Sequence, residues 1–214
     1  MTPSELAALH PRLYHITSVG SWDLISRIGL LSTNGLLAKF GLDDALVAEL
    51  TKKRRPKCVQ FSHASYGNIQ ITDNLPLSEK KLFTCLDDDL QPSQWLEMLN
   101  RRVFFWVDRK KIEGMVRSTS GRRRSIEVLE FDTLSLVLDN FENTEIAPFN
   151  TGNTNHTAAR RGLATFSRLA DVSYAEWRRK RLKVKKTLDN IAEVTVVGGI
   201  ENASHHLISR TAIS

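Results

Sequence analysis

The chain has 214 residues, enough for one sizeable core, and reads as a single domain over residues 1–214. Its 41% hydrophobic and 25% charged residues are ordinary for a globular protein and exclude a fibrous or low-complexity chain. The excess of 30 Lys and Arg over 24 Asp and Glu favours a polyanionic partner, and no apolar run is long enough to span a membrane.

Near the N-terminus, Leu13-Tyr14-His15-Ile16-Thr17 reads as a strand. Strands alternate faces, so His15 and Thr17 point one way while Tyr14 and Ile16 point the other. Ser21 is placed to cap a short helix carrying Trp22, Ile25 and Ile28, with Gly29 as its stop. Asp43 and Asp44 open a second helix that ends in the basic run Lys52, Lys53, Arg54 and Arg55. Acids at its front and bases at its back both complement the helix dipole, and Pro56 stops it.

Residues 58–61 and 68–71 read as short strands around a polar turn with Ser65 and Gly67. Ser93 is placed to cap a helix bearing Trp95, Leu96 and Leu99. Residues 102–107 form the most apolar and aromatic run, which predicts a central strand buried on both faces. Asp108 and Arg109 follow, with a short helix through Ile112 and Met115, and 116–125 reads as a basic surface loop.

A strand at 126–131 and a helical segment opening at Thr133 come next, followed by a loop-like stretch at 148–162 rich in Asn, Thr and Gly. The capping box Ser173-Tyr174-Ala175-Glu176 starts a helix with Trp177 and the longest basic run, Arg178 to Arg181 with Lys183, Lys185 and Lys186. Arg122-Arg123-Arg124 is a further cluster. The chain closes on a strand at 193–197, a Gly198-Gly199 turn and a last strand at 206–208. Many short strands with a few helices between them predict an α+β fold.

Several chemistries lack their signatures. There is no glycine-rich turn of the dinucleotide-binding type, no phosphate loop and no nucleophile elbow. Cys58 and His63, and the pair His205-His206, lack metal-ligand spacing, so no metal is expected. Two separated cysteines read as reduced thiols, and no basic region followed by an apolar core opens the chain, so a cytoplasmic location without a membrane partner is expected.

Three separated pieces carry a resemblance. Leu13 to Thr17, the aromatic run 104–109 ending in Arg109, and Ala192-Glu193-Val194-Thr195-Val196 followed by Gly199-Ile200-Glu201 together resemble the ADP-ribosyltransferase superfamily. The first and last pieces are similar to the DNA-modifying toxins of the DarT family, and the first also to the RNA 2′-phosphotransferases. Over nearly its whole length the chain resembles a bacterial domain family of unknown function. That resemblance runs through residues 73–77 and 102–106, Asn150-Thr151-Gly152, Arg161-Gly162 and Thr165-Phe166.

The superfamily resemblance implies a split β-sheet core with short flanking helices. It also implies NAD as substrate and transfer of ADP-ribose to a nucleic-acid acceptor, DNA before RNA. A toxin-like chain further admits an antitoxin partner. Glu193 is the implied catalytic carboxylate, because cleavage of the nicotinamide–ribose bond builds positive charge that a carboxylate stabilises. His15 is implied to bind a ribose hydroxyl, with Ile16 and Thr17 fixing the same end of NAD. Phe104 or Phe105 is implied to stack on nicotinamide, and Arg102 to line the cofactor site. Arg109 falls where the toxins place a functional arginine. Two alternatives stand beside this reading: NAD-dependent RNA 2′-phosphate removal, and a catalytically inactive module that binds nucleic acid. Trp177 among its arginines is expected in the core, with base stacking as the competing role.

Overall fold

A computed structural model describes residues 1–120, 125–154, 159–181 and 189–213. The clusters at 122–124 and at Lys183, Lys185 and Lys186 lie outside these residues. The fold is α+β. Helix α1 (Pro3–Leu9) precedes β1 (Arg12–Ser18), and α2 (Trp22–Ile28) leads into β2 (Leu30–Leu31), α3 (Thr33–Lys39) and α4 (Asp44–Lys52). A hairpin of β3 (Val59–His63) and β4 (Gly67–Ile71) is followed by α5 (Glu79–Cys85), α6 (Pro92–Asn100), β5 (Arg102–Trp106) and α7 (Arg109–Ser120). Then come β6 (Ile126–Asp132), α8 (Thr133–Asp139), β7 (Thr144–Ala147), β8 (Ser167–Arg168) and α9 (Tyr174–Arg181). The last elements are β9 (Glu193–Val197), β10 (Gly199–Ile200), α10 (Ala203–His206) and β11 (Leu207–Ile213).

Local chemistry explains most boundaries. Asp43 accepts the Leu46 N–H at 2.9 Å and starts α4, and the Ser173–Glu176 box starts α9. Helix α6 begins at Pro92 rather than at a Ser93 cap, because the Gln94 side chain accepts the Gln91 N–H at 2.8 Å. The stretch 116–120 is helical and continues α7, not a loop. The final strand begins at Leu207, one residue after the expected start, and runs on to Ile213, and His206 belongs to α10. Trp177 is fully buried in the main core, which removes the base-stacking role.

Among the described residues seven strands form one antiparallel sheet in the order β11-β6-β1-β5-β9-β7-β8. One face carries Leu13, Phe105, Leu129, Phe131, Ile146, Val194 and Val196, covered by Leu6, Leu136, Val137 and Trp177. The opposite face carries Phe104 and Ala147 against Trp95, Leu96 and Leu99 of α6, and Tyr14, Ile16 and Trp106 against Ile112 of α7. β5 is central and covered on both sides, as its composition predicts.

The sheet is not evenly zipped. β1 pairs with β6 over seven residues but with β5 only through Tyr14 opposite Trp106. Beyond that pair, β1 and β5 diverge toward Ser18 and Arg102, and a cleft opens between them.

Two glycines let the cleft's outer wall close on the sheet. Gly29, at φ +91°, lies so close to the β2–β10 pair that an added Cβ would sit 2.6 Å from the Ile200 carbonyl oxygen. At Gly199, with φ +149°, an added Cβ would sit 2.9 Å from the Leu30 carbonyl oxygen. Gly29→Ala combines a clash with backbone and a left-handed conformation. It is expected to cost about 2 kcal/mol or more in a denaturant melt.

Candidate active site

The cleft encloses about 900 Å³. His15, Ile16, Thr17 and Ser18 of β1 line one side, and Arg102, Phe104 and Trp106 of β5 the other. Glu193, Asn150, Gly152 and Asn153 also line it, while the β3–β4 hairpin and residues 20–36 form its outer wall.

His15 and Glu193 reach this cleft from opposite faces of the sheet. Tyr14, Trp106 and Glu193 lie in one cross-strand row, so Glu193 shares the face of Tyr14. His15 lies one residue on and points to the other face, where its ring is 5.8 Å from that of Phe105. An unbroken sheet would separate the two side chains. The divergence of β1 from β5 opens a passage that both border.

The histidine also closes a gap in the ladder. Its Nδ1 lies 2.9 Å from the Phe104 carbonyl oxygen, where β1 and β5 no longer exchange backbone hydrogen bonds. A carbonyl only accepts, so Nδ1 carries the proton and neutral His15 keeps Nε2 as an acceptor. Enclosure lowers the imidazole pKa below its ordinary value and so favours the neutral form, while the Phe104 bond pulls the other way.

Glu193 is 3% exposed. Its Oε2 accepts the Thr151 backbone N–H at 3.0 Å and the Thr151 hydroxyl at 2.7 Å. Burial pushes its carboxyl up to about 7, although the Thr151 bonds and the positive charges of Arg161 and Lys111 pull it down. A carboxylate poised near neutrality in a cleft is a functional-site signature with a physical cause.

Thr151 is held in turn by Arg161, a residue to which sequence reading assigned no role. Arg161 is 2% exposed and donates to three carbonyls: Nε to Ala159 at 3.0 Å, Nη1 to Thr151 at 2.9 Å and Nη2 to Asn153 at 3.3 Å. Its guanidinium lies 5.1 Å from the Phe149 ring centre and 5.8 Å from that of Trp95. Thr154 adds a staple, donating its N–H to the Pro76 carbonyl at 2.9 Å and accepting the Ser78 N–H at 2.6 Å. The density of Asn, Thr and Gly at 150–155 signals a shaped loop. Nothing in the sequence shows that an arginine ten residues on is its scaffold.

Two other expected site residues lie outside the cleft, and a third lines it with its charge already paired. Arg109 lies at the start of α7, half exposed, with Nη1 3.5 Å from Glu130 Oε2, and does not line the cleft. Phe105 is fully buried in the main core, packed edge-on against Phe131, because it points to the face away from Phe104. Arg102 lines the cleft, but its charge is committed: Nε and Nη2 contact Glu145 at 2.6 and 3.1 Å, and Nη1 donates to the Met98 carbonyl. Arg55, from the first basic cluster, is also structural, with Nη2 on Asn100 Oδ1 at 3.0 Å and Nε on the Thr72 carbonyl.

The fold and cleft define an α+β protein with an antiparallel sheet that parts at its centre over a buried glutamate. The chain belongs to the family described as "Family of unknown function (DUF7002)", whose model matches residues 11–207. No curated protein matches the chain. Among the described residues no three His, Cys, Asp or Glu side chains group as metal ligands, and no helix is long and apolar enough to cross a membrane.

Proposed function

We propose that this protein is an NAD-dependent ADP-ribosyltransferase whose acceptor is nucleic acid, a DNA base in the first place. The observation that carries the reading is that His15 and Glu193, near opposite ends of the chain, border one cleft where β1 leaves β5. Such a parted sheet supports the split-sheet architecture that the sequence resemblance implies.

The chemistry follows from the side chains. The nicotinamide–ribose bond breaks with its electron pair leaving on nicotinamide, and the acceptor's nucleophilic atom bonds to the ribose carbon as its proton passes to solvent. Ionised Glu193 stabilises the positive charge that develops on the ribose. Neutral His15 accepts a ribose hydroxyl at Nε2, and the half-open Thr17 and Phe104 complete that end of the site. The basic excess of the chain suits a polyanionic acceptor.

Incubation of the full chain with labelled NAD and single-stranded DNA is expected to put label on the DNA. His15→Ala, which removes a single hydrogen-bond acceptor, should lower kcat/KM for NAD about tenfold. Arg109→Ala should leave it within about twofold, since an exposed pair outside the cleft contributes little. Failure to bind NAD in calorimetry, with no label on DNA, RNA or protein, would sink the proposal.

A further inference from the structure

The β3–β4 hairpin turns a row of neutral amides toward the cleft. Gln60 pairs with Gln70 and Ser62 with Asn68 across the two strands, all on the face opposite Val59, Phe61, Ile69 and Ile71. Val59, Phe61 and Ile71 of that apolar face pack on α3 and α4, so the wall is firmly mounted. Its tip is pinned as well, by the His63 ring stacked 4.8 Å from Tyr66 and both against Phe40. We infer that this hairpin face is the acceptor-reading surface, taking a base of a single-stranded nucleic acid into the cleft. The inference rests on the transferase reading only for what happens to the base once it is held.

Three observations point to a base on a strand rather than to a solvated wall. The amides are pre-set by one another: Gln60 Nε2 donates to Gln70 Oε1 at 3.2 Å, and Ser62 Oγ to Asn68 Oδ1 at 2.6 Å. Gln70 Nε2 donates to Ser18 Oγ at 3.0 Å, tying the hairpin to the end of β1. The ladder leaves the Gln60 carbonyl oxygen and the Asn68 amino group to meet a ligand, the donor and acceptor set that carboxamides use on base edges.

The surface is also open where the catalytic carboxylate is closed. Gln60 and Asn68 are exposed and line the cleft mouth, while Glu193 is 3% exposed at its depth. A polymer has to enter past such a rim, and only a base out of its stack can pass inside.

Finally, exposed cations bracket the hairpin: Lys39 at the tip, beside Tyr66, and Lys53 and Lys57 at the base. Charges at both ends of a neutral wall suit a phosphodiester backbone crossing it.

The test is binding of a labelled, short, mixed-sequence single-stranded DNA by fluorescence anisotropy, with NAD binding measured separately by calorimetry. The doubly substituted Gln60→Leu, Gln70→Leu chain is expected to bind the DNA about tenfold or more weakly, with NAD affinity unchanged. Lys53→Ala with Lys57→Ala, which leaves the ladder intact, should lower the slope of log K against log salt by about 2. The inference is overturned if the leucine variant loses NAD affinity and keeps DNA affinity, which would make this face the seat of the dinucleotide's adenine half. It is equally overturned if neither affinity changes, or if the unaltered chain binds no DNA. Unaltered chain that binds DNA through Gln60 and Gln70 but binds no NAD would uphold the inference and overturn the transferase reading.

Discussion

Glu193→Gln is expected to reduce NAD cleavage about 10²–10³-fold and at the same time to stabilise the protein above pH 7. Both effects come from the same burial. The amide keeps an oxygen for the two Thr151 donors but loses the negative charge that stabilises the ribosyl transition state. The carboxyl titrates near 7 in the folded chain against a reference value of 4.5. Between these values the unfolded chain has released its proton and the native chain still holds it, so native stability falls as pH rises through that window. The full penalty of carrying a buried charge is reached above pH 7 and is on the order of 3 kcal/mol. Glutamine removes it. Thermal melts from pH 4 to pH 8 should therefore show a decline in wild type that is shallower in Glu193→Gln. In activity, kcat/KM for NAD should rise with pH to a plateau, with a midpoint near 7 for the free enzyme. A glutamine variant with undiminished turnover would remove Glu193 from the chemistry.

Arg161→Met should be the most destabilising single change near the site, by about 3–5 kcal/mol, or roughly 6–20 °C in Tm for a chain of this size. The substitution removes the donors that Arg161 gives to the carbonyls of Thr151, Asn153 and Ala159 in a partly buried loop. Lysine should not rescue it, because a single ammonium cannot reproduce the planar fork that spans three carbonyls. The variant also has a readout that a purely structural role would not move. The Arg161 charge helps to keep Glu193 ionised, so whatever activity survives should have its acidic limb displaced above pH 7. An unshifted limb would mean that Arg161 acts on Glu193 only through the loop's shape.

Much of the fold was legible because it is local. The alternation in Leu13 to Ile16, the Asp43 cap and the Ser173–Glu176 box each specify an element within a few residues, and each forms as expected. Helix α1 escaped although Thr2 and Glu5 form a capping box around Pro3, but two other missed helices had weaker local signals. Helix α3 opens after Ser32 with a glycine inside its first turn, and α5 opens after Ser78 without a side-chain cap hydrogen bond. Arg109 was misplaced because short pattern similarity carries register along the chain but not direction in space. β5 ends at Trp106, and the next turn takes Arg109 onto the exposed side of α7. Phe105 was misplaced for a simpler reason: its face of β5 is packed into the main core, where its ring lies edge-on against Phe131.

The sequence by itself determined that the chain is α+β, that residues 102–107 hold a central strand, and that His15 and Thr17 share a face, all consequences of period and composition. Tertiary structure alone decided that His15 and Glu193 line one cleft. By pleat they belong to opposite faces, and their common cleft exists because β1 pairs once with β5 and then with β6 alone. Tertiary structure also decided which charges are available. Arg55 belongs to a basic run and Arg102 to a strand implied to line the cofactor site, but Arg55 donates to the Thr72 carbonyl and Arg102 is paired with Glu145, partners distant in sequence, while Arg161 is folded onto the carbonyls of its own loop. Such pairings depend on loop closure and on which buried acceptor lacks a donor, and a one-dimensional pattern carries neither.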